Sequence, residues 1–201
     1  CSKLVDCVTI IFLSCNCSCA NLKIFSILVL VTHSLWNIQL LGKFYLYKKL
    51  IPVPKEYFTK DIDYEINSGN LCEEVPKYQT HNNLYDKMKE KSHWKILYKT
   101  IEDKIFNINS KLKLDSSWAN IAKKNSSFDN HVHNTELTAV YYLQNKISEF
   151  GTLINNSVII PGEENSLLIF NAKTMHSIVN IDPDLYEKTG PRYSIVFDFK
   201  Y

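Results

Sequence analysis

Past residue 19 this chain of 201 residues has a single cysteine, Cys72. The other five, Cys1, Cys7, Cys15, Cys17 and Cys19, crowd the first 19 positions. A disulfide-stapled domain distributes its cysteines through the fold. The body of the chain therefore reads as a reduced, intracellular protein, and a cytoplasmic location is expected. The run "CNCSC" has metal-binding residue types. Its Cys-x-Cys-x-Cys spacing lacks the second pair that a usual zinc site needs.

Charge of one sign is missing too. A net charge of +2 gives no basic footprint, so no stable nucleic-acid partner is expected. Long apolar runs are absent. "VTIIFL" and "IFSILVLV" are split by the polar "SCNCSC", and neither reaches the ~20 apolar residues of a membrane span. No membrane association is expected. The region has no initiating Met and no small-residue cleavage site behind a clean apolar core. The composition changes sharply near Leu41. Residues 1–40 are thus expected to be a leader outside the fold, upstream sequence translated along with the domain. Glycine is scarce, at 5, while Lys, Asn and Ile abound. That is the bias of an AT-rich coding sequence and says little about chemistry. No internal repeat is evident.

What is present has two textures. Residues 50–80 carry Pro52, Pro54 and Pro76 with little periodicity. They are expected to hold an entry strand, a short helix near Lys55–Lys60, and loops. From His93 to Ile108 the spacing is helical: Trp94, Leu97, Ile101, Ile105 and Ile108 step by three or four onto one face. Lys95, Lys99 and Lys104 fall elsewhere on the wheel. Leu84 and Met88 belong to a preceding turn or helix. After Ser110 the period becomes two. In "ELTAVYYL", Leu137, Ala139, Tyr141 and Leu143 face one way and Thr138, Val140 and Tyr142 the other. "GTLI", "SVII", "SLLIF", "HSIV" and "RYSIVFDF" follow, bounded by Gly151, Asn155–Asn156, Pro161–Gly162 and Asn171. Short strands at this spacing predict an antiparallel sandwich or barrel, covered by the amphipathic helix.

At the mouth of this strand series lies "FDNHVHNTELTAVYYL". Residues i and i+2 of a strand share a face, so His131 and His133 offer a two-imidazole edge to a metal. Asp129 joins that face if the strand begins so early. His176 lies downstream in "NAKTMHSIV", and Arg192 and Ser194, again i and i+2, in "GPRYSIVF". A guanidinium and a hydroxyl on one face make a fork for a carboxylate. A lone strand histidine is ordinarily surface or core filler, and a lone arginine a surface residue. The order is what argues for a site: His-x-His, strand, Gly turn, Pro-Gly turn, strand, His, Arg-x-Ser.

The segments "SSWANIAKKNSSFDNHVHNTELTAVYYL", "FGTL", "IIPGEENSLLIFNAKTMHSIV" and "PRYSIVFDF" resemble the Fe(II)- and 2-oxoglutarate-dependent oxygenase superfamily. Within it they look like a bacterial and phage group with Trp, His-x-His, a "SGVYYL"-like strand, Pro-Gly, and a distal His and Arg. The resemblance covers about the last 85 residues well and residues 45–117 loosely. It implies a mainly β fold with flanking α-helices, a double-stranded β-helix (jelly roll, cupin-like). Residues 41–201 would form one domain, with helical support over 41–115 and the jelly-roll core over 116–201. It also implies a dioxygenase that hydroxylates an unknown substrate, with Fe(II) and the cosubstrate 2-oxoglutarate. His131, His133 and His176 would be catalytic metal ligands, Arg192 would bind the far carboxylate of 2-oxoglutarate with help from Ser194, and Tyr142 or Tyr141 would hydrogen-bond the cosubstrate.

One departure matters. The superfamily ordinarily has a carboxylate where His133 stands, and two histidines with one carboxylate is the usual set. Asp129 is the alternative third ligand. The substrate is expected to be a protein side chain or a small molecule, and the chain a monomer or homodimer. Trp118, Tyr141 and Phe150 are candidates for the substrate mouth or for plain core. Two other classes stay open: a three-histidine cupin-like metalloenzyme that does not use 2-oxoglutarate, and a non-enzymatic jelly-roll binding or structural module.

Overall fold

The computed structural model describes residues 8–15, 22–31, 37–68, 78–123, 128–178 and 183–201, those before Lys43 by backbone alone. Residues 16–21, with Cys17 and Cys19, lie outside the described residues, as do Cys72 and Pro76. Three strands come first: β1 (Val8–Cys15), β2 (Leu22–Val31) and β3 (Asn37–Lys48). Three helices follow, α1 (Lys55–Asn67), α2 (Leu84–Met88) and α3 (Ser92–Ile108). The remaining strands are β4 (Lys113–Ala122), β5 (Phe128–His131), β6 (Leu137–Gln144), β7 (Thr152–Ile154), β8 (Val158–Ile160), β9 (Ser166–Asn171), β10 (His176–Ile178) and β11 (Arg192–Lys200). A short helix, α4 (Pro183–Thr189), leads into β11.

From β4 on, the chain winds between two antiparallel sheets. The larger has the order β1-β2-β3-β9-β6-β11-β4, and the smaller β5-β10-β7-β8. This alternation is the double-stranded β-helix expected from the sequence. β6 divides its residues between two cores as its period of two requires. Ala139, Tyr141 and Leu143 join Ile195, Phe197, Ile169 and the buried faces of α1 and α3. Val140 and Tyr142 join Leu168, Phe170, Ile154, Val158, Ile160 and Val196 between the sheets. α3 buries Trp94, Leu97, Tyr98, Ile101 and Ile105 against the large sheet. Ile108, at the end of the predicted stripe, is only partly buried there.

Three differences from expectation have physical causes. α1 runs to Asn67, beyond Lys60, because Phe58, Ile62 and Glu65 continue a buried stripe. The strand expected after residue 50 comes earlier, as β3. The first jelly-roll strand, β4, begins at Lys113. Its polar run, "KLDSSWANIA", hides the alternation of a half-buried strand. The segment 78–83 lies along its outer edge, with Thr80 and Ser117 donating backbone N–H groups to the carbonyls of Ala119 and Asn82. That cover pairs an edge that would otherwise be open.

Candidate metal centre

β5 and β10 are neighbours in the small sheet, with His176 directly opposite His131. β5 stops at His131, so His133 stands just beyond the strand rather than in it. A backbone bond keeps it in line: its N–H donates to the carbonyl of Ala172 at 2.9 Å. The rings of His131 and His133 stack, with centroids 5.1 Å apart and planes 14° apart. His176 closes the group, with ring centroids 4.4 Å from His131 and 4.9 Å from His133. Each of the three residues has a ring nitrogen within 4.8 Å of the others'. Asp129 is not part of the group. It is exposed, and its backbone carbonyl, not its carboxylate, faces His131.

The hydrogen bonds orient all three rings and engage the same nitrogen, Nδ1, in each. His131 Nδ1 lies 2.7 Å from the carbonyl oxygen of Asp129, and His176 Nδ1 lies 2.9 Å from that of Thr174. Carbonyls only accept, so each Nδ1 is the protonated nitrogen. His133 Nδ1 lies 2.8 and 2.7 Å from the two carboxylate oxygens of Asp198. With Nδ1 engaged in each ring, Nε2 is the nitrogen left to face a metal, and it is the neutral ring that offers a lone pair there. Burial, with His131 and His133 adding to it, holds the pKa of His176 down to about 3 against the pull of the Thr174 carbonyl. At neutral pH that ring is uncharged rather than a cation. The indole of Trp118 packs over His133 at 5.3 Å.

Further along the inter-sheet face, Arg192 begins β11 only 3 % exposed. Its guanidinium lies over the Tyr142 ring, 5.1 Å from the centroid. Among the described residues its Nε and Nη1 have no hydrogen-bond partner. Burial pushes its pKa below the ordinary value. Ser194 stands opposite Tyr142 across the β11–β6 pairing and is buried. Tyr142 is fixed from below, its hydroxyl 2.6 Å from that of Thr152. The Pro-Gly turn seen in the sequence has a use here. A Cβ on Gly162 would stand 2.5 Å from the Tyr142 ring, so only glycine lets the turn close against it.

Of the two tyrosines, Tyr142 is on this face. Tyr141 is on the helix side, where its hydroxyl donates to Asn165, so it lines neither cosubstrate pocket nor substrate mouth. Phe150 is buried in a small satellite cluster with Ala122. Trp118, half-buried beside His133, keeps its place at the centre. The sequence reading missed Asp198 and Thr138. The one signal was an acid inside an otherwise apolar strand, "SIVFDF".

The fold is that of the Fe(II)- and 2-oxoglutarate-dependent oxygenases. The chain is similar to AviO1 from Streptomyces viridochromogenes Tue57, with a TM-score of 0.60 and 9% identity over 80% of this chain and 90% of that one. It is similar to HygX from Streptomyces hygroscopicus, whose structure holds nickel, 2-oxoglutarate and hygromycin B, with a TM-score of 0.55 and 11% identity over 78% and 82% of the two chains. A prolyl-4-hydroxylase from Pseudomonas putida matches with a TM-score of 0.54 and 12% identity over 78% and 91%. No family model matches the sequence, nor does any curated protein.

Proposed function

We propose that this chain is a non-haem Fe(II)- and 2-oxoglutarate-dependent dioxygenase that hydroxylates a protein side chain or a small molecule. His131, His133 and His176 hold the metal through Nε2. Arg192 binds the distal carboxylate of 2-oxoglutarate, with Ser194 beside it and Tyr142 as the floor. One observation carries the reading. A buried guanidinium with two unpartnered nitrogens shares the inter-sheet space with three imidazoles whose lone pairs are free. A buried cation without an acceptor is costly, and a dianion that also chelates metal satisfies both features at once. Fe(II) held by these histidines with 2-oxoglutarate on Arg192 would supply the chemistry: oxidation of a substrate C–H bond by dioxygen, coupled to loss of CO2 from the cosubstrate, which would leave as succinate. The protein contributes orientation: Arg192 fixes one end of the cosubstrate, the sheets exclude water, and Trp118 screens His133.

HygX binds a small molecule and the Pseudomonas protein is a prolyl hydroxylase, which supports both substrate classes. A cytoplasmic location fits the single cysteine beyond residue 19. Among the described residues no helix is long and apolar enough to cross a membrane.

The test is an anaerobic titration of the protein with Fe(II) and then 2-oxoglutarate, followed by visible absorption. A charge-transfer band that needs both components is expected. The lack of a carboxylate in the ligand group favours one rival, a three-histidine metalloenzyme in which Arg192 anchors a substrate carboxylate. Bound iron without the band would select that rival. Protein that takes up no iron would leave a jelly-roll module without enzymatic function.

A further inference from the structure

Asp198 sits on β11, 5 % exposed, facing the inter-sheet space. Both of its oxygens accept from His133 Nδ1, and Oδ1 also accepts from the hydroxyl of Thr138 at 2.7 Å. Among the described residues no lysine or arginine pairs with it; its one ion-pair partner is His133. A buried carboxylate needs positive charge nearby. Thr138 is neutral, and His133 is a neutral ring if its Nε2 binds metal. The cation that balances Asp198 must then lie on the far side of the imidazole.

We infer that Asp198 supplies, through the His133 ring, the negative charge that a ligating carboxylate would otherwise bring to the metal. This rests on the metal site proposed above. The three-histidine group carries one charge less than two histidines and a carboxylate. Only one of its members is bound to an anion. His131 and His176 donate to neutral carbonyls, whereas His133, at the position where the superfamily ordinarily has its carboxylate, donates to Asp198. A carboxylate on Nδ1–H polarises the ring, makes Nε2 a stronger donor and fixes its orientation. Asp198 is thus a positioning residue that also carries charge. It touches no reacting atom, and it restores the charge balance of the usual set from one shell further out.

The measurement is Co(II) affinity, with Co(II) standing in for Fe(II), on the full chain. Asp198→Asn keeps the shape and removes the charge. It should weaken Co(II) binding about 10–100-fold, with little change in the metal-free circular dichroism spectrum. The double variant His133→Asp with Asp198→Asn moves the charge into the ligand itself and should recover most of that loss, which a merely structural role for Asp198 does not predict. In the Zn(II)-loaded wild type, the His133 Nδ1 proton should resonate further downfield than those of His131 and His176. This last readout stands even if the variants fail to fold. Unchanged Co(II) affinity in Asp198→Asn, a double variant no better than the single one, or three equivalent ring protons would each overturn the inference. A wild-type chain that takes no Co(II) would instead overturn the metal site itself, and this inference with it.

Discussion

Arg192 is buried without an acceptor for Nε or Nη1, so its ligand-free state is the uncomfortable one. An incoming carboxylate gains a planar, charge-assisted fork. Arg192→Ala should therefore weaken 2-oxoglutarate binding by about 2–5 kcal/mol while leaving metal uptake nearly intact, since Arg192 touches none of the three histidines. Arg192→Lys should recover only part, because lysine lacks the planar fork. Calorimetry with 2-oxoglutarate on metal-loaded protein reads both; unchanged affinity in the alanine variant would remove Arg192 from the pocket. The residues of this site differ in how far the sequence announces them. His131, His133, Arg192 and Ser194 are visible as i, i+2 pairs, and Tyr142 follows from the parity of β6. Asp198 shares the parity of Arg192 and Ser194 in β11, but its meaning comes from the cross-strand row that sets it opposite Thr138, which the sequence does not display. The choice between Tyr141 and Tyr142 needed knowledge of which sheet face the helices cover.

At the scale of elements, the helices are held to each other by a polar hub as well as by the apolar stripe. Asp61 on α1 accepts from Lys91 Nζ at 2.7 Å and from Trp94 Nε1 at 2.8 Å, with His93 Nε2 at 2.8 Å. Burial raises its pKa, but the bonds from Lys91, Trp94 and His93 outweigh it, and the net shift is downward. A depressed aspartate contributes stability above its unfolded pKa, and that stability is lost as pH falls through the folded value. Asp61→Asn should therefore cost on the order of 1 kcal/mol at pH 7, and less and less below the ordinary value of 3.8. Urea unfolding at pH 7 and near pH 3 checks this; an equal cost at both would place the effect in packing rather than charge. The elements themselves were legible where pattern and burial coincide. α3, β6, β9 and β11 have long, one-sided or continuous apolar runs. β4 was not, because both of its faces are partly polar: Asn120 is buried on the inter-sheet side and Ser117 on the helix side, where it accepts from the Tyr85 N–H. β5 was not either, since its four residues include one apolar side chain, Phe128.

The whole molecule raises the question of its first forty residues. β1 and β2 lie at the far edge of the large sheet and reach the jelly roll only through β3. β3 itself pairs with β9 over Phe44–Lys48 alone, while β2 runs along its other side from Asn37 to Tyr47. β1 thus pairs with β2 alone, and the first half of β3 has no partner but β2; we propose that this outer pairing adds nothing to the stability of the jelly roll. The counter-argument is that removing β2 turns β3 into an edge strand, which invites association. Its jelly-roll half is short, however, and Lys48 and Glu163 pair beside it, a charged rim of the kind that blunts an edge. A chain beginning at Leu41 should be soluble, monomeric or dimeric, and should melt within about 2–4 °C of the full chain, the shift that ~1 kcal/mol produces at this size. It should also bind Co(II) with unchanged affinity, since no strand of the metal centre pairs with β1 or β2. A markedly lower melting temperature, or aggregation that the full chain does not show, would make the first two strands part of the domain and its boundary an internal one.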